Sequence, residues 1–103
     1  MQNRDKVLNL LGLATRAGKL ITGTETVIMG LGKKKVKKVI VASDLQHHSL
    51  EKVQRAAKKA NVGIIDLFTS QELQHAVGKE RKVLALTDQG FAKALDKLIS
   101  KGV

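Results

Sequence analysis

A chain of 103 residues, 43% hydrophobic and 27% charged, is long enough for one small domain with a core, which argues against disorder. It contains no cysteine, so a disulfide scaffold, a thiolate metal site and a cysteine nucleophile are excluded; it has no tryptophan or tyrosine and phenylalanine only at Phe68 and Phe91, too few for a platform that stacks single-stranded bases on rings. Nineteen Lys and Arg against nine Asp and Glu give a net charge of +10, a field that draws polyanions, nucleic acid being the common one.

The predicted elements alternate helix with short apolar run. From Asn3 to Arg16, Val7, Leu8, Leu10, Leu11, Leu13 and Ala14 fit one broad helical face. Gly18 is placed to end that helix, since glycine takes the left-handed conformation at little cost. Leu20-Ile21 is a short extended segment. Thr22 stands three residues before Glu25, the spacing of a capping box, and a helix from Gly23 to Gly32 follows. Val39–Ala42 and Val83–Leu86 are continuous apolar runs, and Ile64-Ile65-Asp66-Leu67-Phe68 is a third run broken only by Asp66; such runs suit strands buried on both faces. Between them, Leu50, Val53, Ala56, Ala57 and Ala60 repeat at helical spacing, as do Leu73, Ala76 and Val77. A last helix carries Phe91, Leu95, Leu98 and Ile99, with Thr87 or Asp88 as its cap. This order predicts one domain over residues 1–103, an α/β/α three-layer sandwich of about four strands and five helices.

No apolar run approaches the ~20 residues of a membrane span, and the first six residues lead into an amphipathic segment, not a signal sequence. The expected address is the cytoplasm, and the expected state a monomer. The charge is concentrated early: residues 1–42 hold nine basic residues and two acids, a net of +7, against +3 for the remainder.

Enzyme signatures are missing. His47 and His48 are adjacent and His75 is remote, so no pair shares one helical face as a metal site would need. Asp44 and Asp88 immediately precede helices and read as caps, and Asp66 lies within a strand. Gly30, Gly32, Lys33 and Lys34 resemble a phosphate loop only superficially, because Val27 and Lys34 stand where that loop needs glycine and a hydroxyl residue. No catalytic residue, metal or cofactor is expected.

The informative stretch is Ala17–Thr26, with Lys19, Gly23, Thr24, Glu25 and Thr26 around a helix start. Unpaired N–H groups and a partial positive charge at such a start favour phosphate. Gly23 allows close approach of a backbone, Thr24 and Thr26 can donate and accept, and Glu25 can accept from the amino groups of bases. Lys33, Lys34 and Lys35 at the other end of that helix can hold flanking phosphates. An ordinary capping box, with Glu25 occupied by its own helix, explains the same residues equally well.

Ala17-Gly18-Lys19-Leu20, Gly23, the run Lys-Val-Lys-Lys-Val-Ile-Val-Ala at 35–42, Ser43-Asp44, and Leu73, Ala76-Val77-Gly78-Lys79 together resemble the kink-turn RNA-binding ribosomal protein family of the L-seven-Ae type. Residues 83–92, Val-Leu-Ala-Leu-Thr-Asp-Gln-Gly-Phe-Ala, resemble its bacterial YlxQ-like branch. The resemblance covers essentially the whole chain. It implies a mixed four-stranded sheet, and a role in grasping structured, ribosomal-type RNA at the tandem sheared G·A pairs of a bent helix. It further implies contacts from Gly23, Thr24, Glu25 and Thr26, and from the loop Gly78, Lys79, Glu80 and Arg81, with Lys19, Ser43 and Asp44 beside them. Strong kink-turn binders carry Gly-x-Asn-Glu-x-x-Lys or Gly-x-Lys-Gln-x-x-Lys in the first region; here Glu25, Thr26 and Met29 occupy the last three specified positions. Lys79–Lys82 is charged where those binders often place an apolar residue. A second reading is an adaptor or ribosome assembly factor of the same fold, docking on a ribosomal or transcription-machinery protein and holding RNA without specificity. A third, the stand-alone substrate domain of an RNA-modifying enzyme, finds no cofactor motif to support it.

Overall fold

In the computed structural model, which describes residues 2–102, helix α1 spans Asn3–Arg16. Its end is a Schellman motif: Gly18 N–H donates to Thr15 O at 3.1 Å and Lys19 N–H to Ala14 O at 2.9 Å, with Gly18 at φ +71°. The chain continues as β1 (Leu20–Thr22), α2 (Thr24–Gly32), β2 (Lys38–Ala42), α3 (His47–Ala60), β3 (Ile64–Phe68), α4 (Ser70–Val77), β4 (Val83–Leu86) and α5 (Gln89–Ser100). Among the described residues, no helix is long and apolar enough to cross a membrane.

The four strands form one mixed sheet in the order β1-β4-β2-β3. Strand β4 pairs antiparallel with both β1 and β2, and β2 pairs parallel with β3. Alternation along each strand sends side chains to opposite faces, and each face is covered by helices. On one face Ile40, Ala42, Phe68, Leu84 and Leu86 pack against α1, α4 and α5 through Val7, Leu11, Leu73 and Leu95. On the other, Val39, Val41, Val83 and Ala85 pack against α2 and α3 through Val27, Leu31, Val53 and Ala57. The architecture is the α/β/α three-layer sandwich that the alternation of elements predicts. Strands β2 and β4 are buried on both faces, apart from a half-buried Lys38; its ammonium reaches Asp96 on α5 at 2.9 Å.

Three expectations fail. Strand β3 is not buried on both faces, because it lies at the sheet edge. The register advances from Ile40↔Ile65 to Ala42↔Phe68, so β3 carries one extra residue. That bulge leaves Asp66 and Leu67 exposed and turns Phe68 inward. The capping box is not at Thr22–Glu25: Thr22 is held in β1 opposite Leu84, and Gly23 is the N-cap with no side-chain bond. The capping box instead lies at Thr69 and Glu72, opening α4. Asp44 does not cap α3, which Gln46 precedes; its carboxylate accepts from Ser70 at the start of α4 instead. Asp88 does cap α5, its carboxylate accepting from Phe91 N–H at 3.0 Å.

An added link ties α1 to the far edge. The Arg4 guanidinium donates to both Glu72 carboxylate oxygens at 2.7 and 2.8 Å and to Leu67 O at 3.0 Å. It also lies over the Phe68 ring, 4.6 Å from the centroid.

Candidate nucleic-acid interface

Strands β1, β2 and β3 run the same way and β4 runs against them. The C-terminal ends of the first three and the N-terminal end of β4 therefore share one end of the sheet. Four segments converge there: the start of α2, the Ser43-Asp44 turn, the start of α4 and the loop 78–82.

Backbone hydrogen bonds fix their spacing. Gly23 N–H donates to Val83 O at 2.9 Å, which sets the α2 start against the end of the α4–β4 loop. Gly23 achieves this at φ +100° and ψ 141°, a conformation reserved for glycine. Ala42 N–H donates to Lys82 O at 2.8 Å, bringing Ser43 and Asp44 beside the same loop. Ser43 N–H donates to Phe68 O at 2.8 Å. The structure thus brings Gly23, Thr24, Glu25 and Thr26 together with Gly78, Lys79, Glu80 and Arg81, and with Ser43 and Asp44. Glu25, Thr26, Ser43, Asp44 and the whole of 78–82 are exposed.

Asp44 joins two of these segments. Its carboxylate accepts from Ser70 Oγ at 2.6 Å and Ser70 N–H at 2.8 Å, at the first residue of α4. The hydroxyl bond, then the backbone bond, hold the Asp44 carboxyl below its usual range, with the positive charge of Lys82 acting the same way. At the same helix start the Arg4 bond, followed by Thr69 N–H, lowers the Glu72 carboxyl. Both groups therefore titrate lower folded than unfolded. The unfolded chain binds protons first as pH falls, so stability rises with pH across this range. Their contribution is complete above their ordinary values of 3.8 and 4.5 and is lost as pH drops through the lowered ones. Thermal unfolding followed by circular dichroism from about pH 6 to about pH 2 is expected to show the midpoint falling in acid. Asp44→Asn and Glu72→Gln are each expected to flatten that fall, and an unchanged profile in both variants counts against this assignment.

Glu25 is not engaged by its own helix. Its side chain is 76% exposed and accepts from the Lys52 ammonium on α3 at 3.0 Å. An exposed pair of this kind is worth about 0–1 kcal/mol, so it orients Glu25 without withholding it from a stronger partner. Lys52 and Ser70 are the site-bordering residues to which the sequence did not point, while Lys82 lies in the charged run 79–82; only the helical spacing of Lys52 to its α3 neighbours carried any signal. Met29 is 60% exposed on α2, an apolar side chain on an outward position.

Other expected site residues lie elsewhere. Lys19 precedes β1, and its O accepts from Thr87 N–H at 3.0 Å, beyond the end of β4. This is the opposite end of the sheet, so the structure does not bring Lys19 beside the loops. Lys33, Lys34 and Lys35 follow the C-terminus of α2, whose nine residues place them about 14 Å from its start at 1.5 Å per residue. His47 opens α3 in solvent and pairs with Glu51 at 2.7 Å. Among the described residues, no three of His, Asp or Glu converge as metal ligands would.

The fold and this end of the sheet define a small basic α/β/α sandwich protein that presents a helix start and a charged loop side by side. The chain belongs to the ribosomal protein L7Ae/L30e/S12e/Gadd45 family, whose sequence profile matches residues 5–96. An Enterococcus faecium protein named RNA-binding protein YlxQ is 43% identical over 97 residues, covering 94% of each chain. Its Bacillus subtilis namesake is 35% identical over 91 residues, covering 87% of this chain and 91% of that one. The solved structure of a Bacillus halodurans protein of unknown function superposes with a TM-score of 0.88 at 36% identity, covering 92% of this chain and 97% of that one. A Giardia lamblia 15.5kD RNA binding protein shares the fold at a TM-score of 0.77 and 17% identity, covering 96% of this chain and 86% of that one.

Proposed function

We propose that the chain is a non-catalytic, monomeric, cytoplasmic RNA-binding domain over residues 1–103. It recognises structured, ribosomal-type RNA of kink-turn geometry at the end of the sheet where α2 begins. The observation that carries this reading is the Gly23–Val83 hydrogen bond at 2.9 Å, which holds a helix start and a basic loop at one fixed distance. The names of the YlxQ relatives support the ligand class. The α2 N–H groups and the loop cations Lys79 and Arg81 receive phosphates, and Glu25 and Thr26 face purine edges. A deep, narrow RNA major groove is closed to side chains, so a distorted internal loop is the fitting target. Lys19 and Lys33–Lys35, at the other end of the sheet and of α2, reach only the flanks of such an RNA.

The test is a titration against a kink-turn RNA and a control whose sheared G·A pairs are replaced by Watson–Crick pairs, at several salt concentrations. A kink-turn preference of about a hundredfold, or ~2.7 kcal/mol, that persists as salt rises is expected. With six to ten phosphate contacts, both affinities fall by about a thousandfold or more between ~50 and ~200 mM salt. Glu25→Ala is expected to cost about 1–3 kcal/mol on the kink-turn and little on the control. Equal, steeply salt-dependent binding to both RNAs would defeat the reading and favour an adaptor that docks on a ribosomal or transcription-machinery protein.

A further inference from the structure

On the face of the sheet covered by α2 and α3, the two helices leave a groove of about 1010 Å³. Lys34, Lys37, Lys52, Arg55 and Lys59 line it, and no Asp or Glu does. Three of these cations follow from helical geometry: Lys52, Arg55 and Lys59 lie at i, i+3 and i+7, on one side of α3. All five are exposed. Lys38, close by in sequence, turns to Asp96 on the opposite face and takes no part. A row of like charges along one channel repels itself and is relieved by a polyanion.

Two further observations bear on the occupant. The groove opens at the far end of the sheet, where Val36, Lys37, Asn61 and Gln89 line it, and Lys52 links it to the α2 start by bonding Glu25 at 3.0 Å. Along the helices, Lys34 follows the nine residues of α2 and Lys59 lies seven residues beyond Lys52 on α3, about 14 and 10 Å at 1.5 Å per residue, a reach that a strand flanking the α2 start can span. Lys34 is held at φ +60°, a left-handed position after α2 where glycine would sit without strain. A lysine there costs backbone energy and sets an ammonium at the groove edge.

We infer that this groove is a second RNA-contact surface, which holds the phosphodiester backbone flanking the segment gripped at the α2 start. The inference rests on the proposed RNA-binding function, and its test separates the two. The probes are a minimal kink-turn RNA, the same RNA with one flanking stem lengthened, and a plain duplex in short and long forms. Wild-type protein is compared with Arg55→Gln/Lys59→Gln, which alters only exposed groove residues and leaves Lys52 and Glu25 in place. The lengthened stem is expected to gain about tenfold in wild-type affinity. The double variant abolishes that gain and lowers the salt slope on the long RNA by about two, while the minimal RNA binds as before. Lys34→Gly is expected to keep or raise the unfolding temperature yet weaken the long RNA, a combination that a purely structural lysine would not give.

Unchanged binding of the long RNA by the double variant overturns the inference. So does an equal loss on short and long RNAs, which would mark a diffuse field. Displacement of the extended stem by poly-glutamate at equal charge also overturns it, by making the groove a seat for acidic protein. A wild type that prefers no kink-turn defeats the proposed function alone; a length gain on plain duplex that vanishes in the double variant still upholds the groove.

Discussion

Phe68→Ala is expected to lower the unfolding free energy by about 3–5 kcal/mol, the range for truncating a fully buried aromatic. The ring is completely buried and closes the face beneath α1 and α4, packed in one cluster with Leu11, Leu73 and Leu84. It sits at the end of the edge strand, directly after the bulge, with no further strand outside it to fill a void. The Arg4 guanidinium above it is already fixed by Glu72 and Leu67, so the roof does not collapse readily into the cavity. Those ion-pair bonds are about one-third exposed, and on their own such pairs contribute about 0–1 kcal/mol; the ring carries most of the stability of this corner. A small domain holds about 5–15 kcal/mol in total, so the variant is expected to be marginal. Urea unfolding monitored by circular dichroism reads the change, with Phe68→Leu expected to lose much less. A loss of under about 1.5 kcal/mol for alanine would mean that the corner repacks around the gap.

The second large effect is expected at Gly23. Gly23→Ala should destabilise the fold by about 1–3 kcal/mol through backbone strain. Steric room is not the difficulty, since an added Cβ would find Thr26 Oγ1 at 3.8 Å. The difficulty is φ +100° at a residue pinned on both sides: its N–H donates to Val83 O and its O accepts from Val27 N–H, each at 2.9 Å. Relief of the strain requires the α2 start to move away from the loop 78–82, so affinity for the proposed kink-turn RNA should fall as well. Gly18→Ala is the control. Gly18 also has positive φ, with nothing within 4 Å of a Cβ, but it ends α1 at the other end of β1. It is expected to lose stability and keep its RNA affinity. Equal affinity losses in the two variants would show that general destabilisation, and not the helix start, governs binding.

Local signals carried much of the fold. Gly18 ends α1 and Asp88 caps α5 because those motifs are complete within a few residues. The runs at 39–42 and 83–86 read as buried strands because both faces of each are apolar. What failed depended on neighbours distant in the chain. Thr22-x-x-Glu25 and Thr69-x-x-Glu72 share one spacing, yet only the second forms a box, since pairing with β4 withholds Thr22. The bulge in β3 arises from its register with β2; alternation alone would put Phe68 on the same face as Ile64. Convergence of Gly23–Thr26 with 78–81 was legible through the family resemblance. The place of Lys19 was not: three residues of β1 carry it about 10 Å to the far end. The cations of α3 show helical spacing in the sequence, but without α2 beside them that spacing reads as an ordinary solvated face.

The position of β4 has a consequence for how the chain is made. Among the described residues it is the last strand and occupies an inner place in the sheet, and β1 pairs with no other strand. A growing chain that has not yet delivered Val83–Leu86 has only the β2–β3 pair, and the apolar surfaces of α1 and α2 have no completed sheet to cover. Some sixty residues separate β1 from its partner, and closure of a loop of that length must precede any gain from the contact. The four-stranded sheet can therefore close only once Val83–Leu86 is available to take its place between β1 and β2.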